Sequence, residues 1–480
     1  MDHYTKLEVR NNIIYINKIN GNQIILPKTI NITNKDIKNT FKKNGLDKNI
    51  PTISKFDNNL FRTIYITIHT SSKCNMKCKY CFMKSRVNNE LSFDEIKKFI
   101  DYIITCFPNA GKYIVDPTGS GEPLLRMDLI QKIGEYCHIK SDEINKEVLP
   151  MLVTNGILLT KTNVEKLQNT GYIFGVSIDG YKKAHDANRV DKHGNGTYNK
   201  IKNNIKKIKH KQYLGVAVTL TNSNLDLIKA YKTLYKDFKT ISIKPVRSFE
   251  NNIDGLNIGN IDSVKKQYTR LSKFILDKTL NGKLDYLSVL LNGDDYFGKF
   301  LLRVILNHKV FSRCDAGLGR FSLTPDKKII ACPGSIGIKE MELGTLDEGI
   351  DHNKVLEIWN ILTSRERCKN CEARFVCGGE CLVVSYYKSK KISELDEVMC
   401  SFKKHLFELA VIFKAELLLK SEKLFDIVYE GCQIKANRFE EDIDLSRTLS
   451  KIRNKYTFLD LKRLKDDFYE EYLTLKRNLN

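Results

Sequence analysis

Six short runs rich in β-branched residues recur between Thr63 and Val246: TIYITI (63–68), YIVDPT (113–118), LPMLVT (149–154), YIFGVSI (172–178), LGVAVTL (214–220) and TISIKPV (240–246). The stretches between them are amphipathic at helical spacing. In SFDEIKKFIDYII, Phe93, Ile96, Ile100 and Ile103 share one stripe, while Asp94 and Glu95 lie in the first turn, where the helix dipole favours acids. Strand-helix alternation of this length demands a parallel sheet with right-handed crossovers, as an open doubly wound sheet or a partial barrel. Both architectures collect working residues at the C-terminal strand ends.

The flanks differ. Residues 11–30, NNIIYINKINGNQIILPKTI, predict a hairpin turning at Asn20-Gly21, followed by a polar segment with a short helix, which together make a β-rich unit over 1–60. Past Cys400 the chain reads as helical and charged, from HLFELAVIFKAELLLK through IRNKYTFLDLKRLKDDFYEEYLTLK. The start, MDHYTKLEVR, lacks a secretory pattern, and apolar runs such as LAVIF fall short of a bilayer span, so a cytoplasmic protein with no membrane partner is expected. In a reducing compartment, 13 cysteines point to metal or redox chemistry rather than a disulfide framework. The net charge of +22 is spread through lysine-rich stretches such as KNNIKKIKHK, a solvated-surface pattern. A nucleic-acid binder would gather its basic residues with aromatics on one face, so no nucleic-acid partner is expected.

Three thiols, Cys74, Cys78 and Cys81, crowd the stretch KCNMKCKYCF just after the first strand. A tetrahedral zinc site needs a fourth ligand, for which His69 is the near candidate, whereas three thiolates on a [4Fe-4S] cubane leave one iron open. The spacing C-x3-C-x2-C in this position resembles the radical S-adenosylmethionine (radical SAM) superfamily, where the open iron chelates the amino and carboxylate groups of the cofactor. That resemblance implies a partial (β/α)6 barrel over 61–280, with Cys74, Cys78 and Cys81 holding the cofactor-binding cluster. It also implies S-adenosylmethionine contacts at later strand ends. Ser120, Gly121 and Glu122 in TGSGEPLL resemble the family's Gly-Gly-Glu-Pro turn, with Ser120 replacing a glycine. Asn155 in Thr-Asn-Gly matches a ribose-contacting position. Ser177 and Arg189, in SIDGYKKAHDANRV, match the carboxylate-binding pair of one subgroup. Cys106 and Cys137, near predicted helix ends, read as packed thiols.

Seven further cysteines follow: Cys314, Cys332, Cys368, Cys371, Cys377, Cys381 and Cys400. Read alone, CKNCEARFVCGGEC suits a zinc ribbon, but seven thiols exceed the needs of one zinc ion and no matching histidine pattern accompanies them. The arrangement resembles the SPASM auxiliary-cluster domain, here over 313–405, joined by a helical bridge (281–312) and followed by a helical extension (406–480). By that pattern Cys368, Cys371, Cys377 and Cys400 bind one [4Fe-4S] cluster, and Cys314, Cys332 and Cys381 bind another, giving three clusters in all. The family often places Gly five residues before the second of these cysteines, where this chain has Lys327. Four plus three leaves one position without a thiolate, to be taken by Cys432, a carboxylate, water or the substrate.

The resemblance implies an oxygen-sensitive enzyme in which a reduced cluster cleaves the cofactor to a 5'-deoxyadenosyl radical. The expected substrate is a ribosomal precursor peptide, which would gain a thioether or another side-chain cross-link, with a flavodoxin or ferredoxin supplying electrons. Many such maturases capture a leader peptide by strand addition to an N-terminal β-rich unit, which residues 1–60 resemble in shortened form. Sulfatase maturation is the alternative. Those relatives commonly carry Asp directly after the second SPASM cysteine, where Pro333 stands here. A zinc-bearing nucleic-acid-binding protein is the remote rival.

Overall fold

The computed structural model describes residues 3–48, 56–57, 61–81, 89–208, 214–246, 255–293, 295–310, 312–438 and 458–459. At the N-terminus, β1 (Tyr4–Val9), β2 (Asn12–Asn17) and β3 (Gln23–Pro27) form an antiparallel meander, and α1 (Asn34–Lys43) follows. The predicted hairpin is β2–β3, with Gly21 at φ +70° in its turn. Thr33 and Asp36 close a reciprocal capping box at the start of α1. Tyr15, Ile24, Leu26, Ile37 and Phe41 bury one another in a small core of this unit's own.

Six parallel strands follow: β4 (Thr63–Ile68), β5 (Lys112–Asp116), β6 (Glu147–Thr154), β7 (Ile173–Ser177), β8 (Leu214–Leu220) and β9 (Thr240–Pro245). They pair in parallel, as the alternation predicts, and in sequence order, as a partial barrel does and a doubly wound sheet does not. The crossovers are α2 (Phe93–Cys106), α3 (Met127–Ile144), α4 (Lys161–Asn169), α5 (Lys182–Asn188) with α6 (Tyr198–Lys206), and α7 (Leu227–Leu234). A Ser92–Glu95 capping box starts α2, which buries Ile96, Phe99, Ile100 and Ile103. Alternation along the strands sends Tyr113, Val115, Val148, Leu152, Phe174, Val176, Val216 and Val218 into the apolar core. The opposite positions are mixed, with Ile114, Met151 and Val153 farther back and Thr67, Asp116, Ser177, Thr219 and Ser242 putting polar groups toward the C-terminal strand ends.

Three helices come next: α8 (Ile261–Leu280), α9 (Asp285–Leu291) and α10 (Tyr296–Leu306). Then β10 (Arg320–Leu323) returns to pair in parallel with β4, Ser322 opposite Thr67, and extends the sheet antiparallel through β11 (Lys328–Ile330), β12 (Glu342–Thr345) and β13 (Gly349–Ile350). β4 is therefore central, and all six of its residues are buried. The chain continues through α11 (His352–Thr363), α12 (Arg374–Cys377), α13 (Leu382–Ser389), α14 (Glu397–Lys420) and α15 (Glu422–Arg438).

The expected boundary at 405 falls inside α14, so one helix serves both the cysteine-rich region and the extension. Most of the predicted distal helix lies outside the described residues. Its described part is a strand, β14 (Phe458–Leu459), which adds in parallel to the edge of β3 with Phe458 opposite Gln23. Backbone pairing offered by a sheet edge overrides the helical pattern there.

Candidate active site

The chain leaves β4 at Ile68 and crosses the C-terminal strand ends before α2. Two neighbours lace down the first part of this crossing. On one side, Glu122 N–H donates to the Lys73 carbonyl (2.9 Å) and Ser120 Oγ donates to the Ser71 carbonyl (3.2 Å). On the other, Lys77 N–H donates to Val190 (2.8 Å) and Lys79 N–H to Asn188 (3.0 Å). Arg126 Nη1 adds donations to the carbonyls of Thr70 (2.7 Å) and Leu91 (2.9 Å). The loop carrying Cys74, Cys78 and Cys81 is thus held by the turns after β5 and after α5.

Gly121 makes the first side feasible. It stands at φ +69°, and a Cβ there would lie 2.4 Å from the Lys73 carbonyl oxygen. The positive φ falls on Gly121 and not on Ser120, so the serine substitution leaves the turn intact. Glu122 is buried, and both its oxygens brace the neighbouring strand end. Oε1 accepts from Thr154 Oγ1 (2.6 Å) and Leu124 N–H (3.2 Å), and Oε2 accepts from Asn155 N–H (2.8 Å). Asn155 Nδ2 in turn donates to Asn75 Oδ1 (2.7 Å) and lies 3.8 Å from Cys74 Sγ. Five of the six predicted cofactor contacts, Ser120, Gly121, Glu122, Asn155 and Arg189, are tied into this network around the first cysteine loop. Ser177 ends β7 and is half-buried.

Arg189 closes the other side. Its Nε donates to the fully buried Asp179 Oδ2 at 3.0 Å, and Nη2 reaches Thr219 Oγ1 at 3.4 Å. Tyr80, between two of the cysteines, donates its hydroxyl to the same Asp179 oxygen at 2.6 Å. Burial pushes the Cys78 thiol up to about 11, against the opposing pull of Arg189, and Cys81 and Cys74 raise it further.

The later cysteines fall into two sets. Burial raises Cys314 to about 12, with added contributions from Cys381, Asp315 and Cys332. Burial likewise raises Cys400 to about 12, with Glu380, Cys377 and Cys368 as charged neighbours, and Cys371 to about 11, with Cys377 among its neighbours. Between the two sets, Gly378 sits at φ +65°, where a Cβ would lie 2.4 Å from Arg313 N. This close backbone approach brings the segment around Cys377 and Cys381 against the one leading into Cys314. Glu380 and Lys403, both buried, pair at 2.9 Å beside it. Cys432 is buried in α15.

Residues 68–229 match the model of the Radical SAM superfamily. The chain carries a radical SAM domain. It is 26% identical over 363 residues to a cysteine-type anaerobic sulfatase-maturating enzyme of Clostridium perfringens, covering 71% of this chain and 94% of that one. Native anSMEcpe, solved with bound AdoMet and the Kp18Cys peptide, superposes with a TM-score of 0.62 at 22% identity, covering 77% of this chain and 99% of the other. Streptococcus suis SuiB bound to its precursor peptide SuiA superposes at 0.51 with 15% identity, covering 83% and 98%. These two likenesses show the fold.

The donor set of the radical SAM domain suits an iron-sulfur cluster. Among the described residues, no three Cys, His, Asp or Glu side chains converge as one metal ion would require. Within each of the three cysteine sets, however, thiols lie close enough to raise one another's pKa. Thiolates without histidine or carboxylate partners are the donors a [4Fe-4S] cluster takes, one iron to each. His69, the near candidate for a fourth zinc ligand, is buried with both ring nitrogens unpartnered and burial holding its pKa down to about 4.

Sequence reading of the radical SAM domain missed Asp179, Tyr80 and Thr154 as working parts. Asp179 stood in the quoted SIDG signature and Tyr80 between Cys78 and Cys81. Their partnership spans 99 residues of sequence, which no local pattern reveals.

Proposed function

We propose that this radical SAM enzyme modifies a side chain of a peptide or protein, and that the product is a thioether or other cross-link in a ribosomally synthesised peptide. The observation that carries this reading is the continuity of the sheet. β10 pairs with β4, so the cysteine-rich region after it is built directly onto the strand that delivers Cys74, Cys78 and Cys81. Three sets of thiols on one framework suit a partial barrel (61–280) with a SPASM domain (313–405). Cys74, Cys78 and Cys81 would hold the cofactor-binding [4Fe-4S] cluster. Cys368, Cys371, Cys377 and Cys400 would hold one auxiliary cluster, and Cys314, Cys332 and Cys381 the other.

Bound S-adenosylmethionine and a reduced cluster supply a 5'-deoxyadenosyl radical able to remove hydrogen from an unactivated carbon. The chain's own residues supply placement. Arg189 offers a guanidinium suited to a carboxylate, and Ser177 at the end of β7 would add a hydroxyl. Glu122 holds Asn155 in position, and Gly121 lets the cofactor turn close onto the cysteine loop. The set with three thiols leaves a coordination position for a substrate thiolate, which suits thioether chemistry.

Other parts of the reading concern delivery. SuiB was solved with its precursor peptide, which supports a peptide substrate here. Strand addition to the N-terminal sheet would have to displace β14 from β3 or use the opposite edge at β1. A flavodoxin or ferredoxin would supply electrons, and the site of action is the cytoplasm. Among the described residues no helix is long and apolar enough to cross a membrane.

Sulfatase maturation is the second reading, favoured by the resemblance to sulfatase-maturating enzymes along 71% of the chain. Pro333, in place of the Asp those relatives commonly carry after the second auxiliary cysteine, favours the first. Mass spectrometry separates them, using anaerobically reconstituted enzyme, cofactor and reductant with two substrates: a short peptide encoded beside this gene, and a cysteine-containing sulfatase peptide. Loss of two hydrogens with sulfur retained supports the cross-link reading. Loss of sulfur with gain of an aldehyde supports formylglycine formation, and no change in either peptide refutes both.

A further inference from the structure

We infer that Asp179 is a positioning residue for the cofactor site, aiming Arg189 and anchoring the cysteine loop through one carboxylate. This inference rests on the radical SAM reading of the site and assigns a role to a residue that the cofactor itself need not touch.

Asp179 is fully buried just beyond the end of β7, where an unpaired carboxylate would be costly. Every side of it is engaged. Oδ1 accepts from Thr219 N–H on β8 at 2.9 Å. Oδ2 accepts from both Tyr80 Oη (2.6 Å) and Arg189 Nε (3.0 Å). The Asp179 N–H donates to His185 Nδ1 (3.3 Å), and His185 Nε2 meets Thr197 Oγ1 (3.0 Å), which donates to the Arg189 carbonyl (2.9 Å). The arginine is therefore held at its guanidinium and at its backbone by one connected network.

Arg189 is the group whose orientation matters. With Nε taken by Asp179 and Nη2 at Thr219, the fork has little freedom to rotate, and its remaining N–H groups point in one fixed set of directions. The guanidinium carbon lies 5.3 Å from the centre of the Tyr80 ring, and its charge acts on Cys78, so it sits against the loop that would carry the cluster. Pre-orientation of this kind reduces the ordering cost of binding a carboxylate. The same carboxylate also weakens Arg189 as an anion trap by neutralising it. The two effects oppose, and the density of fixed contacts favours orientation as the larger.

The test uses anaerobically reconstituted full-length enzyme, with iron content, cofactor affinity by equilibrium dialysis, and the electron paramagnetic resonance change caused by adding cofactor. Asp179→Asn should retain full iron, bind S-adenosylmethionine at least tenfold more weakly, and give a diminished spectral change. Tyr80→Phe, which loses only the loop anchor, should change affinity less than threefold. In the Arg189→Ala background, Asp179→Asn should add less than threefold, because it acts through that arginine. Should Asp179→Asn fail to accumulate, Arg189→Lys asks the same question: a single ammonium can pair with Asp179 but has no second arm, so affinity should fall at least tenfold with iron retained. Unchanged or tighter binding in Asp179→Asn or in Arg189→Lys, or independent multiplication of the losses in the double variant, would overturn the inference. Absence of iron from the wild-type protein would instead overturn the superfamily chemistry beneath it.

Discussion

Glu122→Gln isolates one buried brace without changing side-chain volume. The native carboxylate accepts three hydrogens, from Thr154 Oγ1, Leu124 N–H and Asn155 N–H. A carboxamide has one acceptor oxygen, so whichever way it turns, at least one backbone N–H faces an NH2 group. If the oxygen stays with Thr154 and Leu124, Asn155 N–H is orphaned. In the other orientation the Thr154 hydroxyl, which accepts from Gly156 N–H at 3.1 Å, has a second lone pair for the NH2 group, but Leu124 N–H is orphaned instead. A buried donor left unsatisfied costs about 1–3 kcal/mol. The strand end would escape that cost by moving Asn155 away from Asn75 and the cysteine loop. If cofactor binding must restore the native placement, affinity falls by about fivefold to about a hundredfold. Equilibrium dialysis against S-adenosylmethionine reads this, with iron content confirming that the clusters remain. Wild-type affinity in Glu122→Gln would refute the brace.

Two further outcomes follow from backbone and burial. Gly121→Ala would set a Cβ 2.4 Å from the Lys73 carbonyl at a positive φ, so the turn must open; we expect impaired cofactor binding with a lowered Tm, and native behaviour by both measures would contradict the packing. Lys309 and Lys414 are buried, and burial lowers each pKa to about 7, Lys414 also depressing Lys309. An unfolded lysine stays protonated to about pH 10.4, so between pH 7 and 10 the unfolded chain binds more protons and stability rises with pH. Lys309→Met should flatten that rise in urea titrations at several pH values, and an unchanged slope would show that Lys309 does not carry it.

What the sequence revealed divides by range. The six parallel strands were legible because each is a β-branched run with an amphipathic crossover after it. The spacings within KCNMKCKYCF and CKNCEARFVCGGEC are local and can be read without a fold, whereas Cys314, Cys332 and Cys400 lie far from them in sequence. By contrast, β10 (RFSL) and β11 (KII) are too short to show a period, and exist because β4 offers a partner edge. The same holds for Phe458–Leu459, where a helical pattern yields to β3. Lys327 shows a finer case. It adopts φ +62°, the left-handed conformation for which glycine is the natural choice, so the departure noted in the sequence marks local backbone strain at that turn. Its ammonium pairs with Glu95 at 2.8 Å, a contact that no spacing rule anticipates. Glu122 stood out in the TGSGEPLL turn, but its bracing of Thr154 and Asn155 needed three-dimensional contacts.

Metal analysis of protein purified without oxygen tests the central claim most directly. Three cubanes predict about twelve irons per chain, with about a third lost when Cys74, Cys78 and Cys81 are all replaced by Ala. Reduced wild-type protein should show a paramagnetic signal that shifts on adding S-adenosylmethionine, and the triple variant should not. Stoichiometric zinc with little iron, or a triple variant that keeps all its iron and its response to the cofactor, would contradict the account.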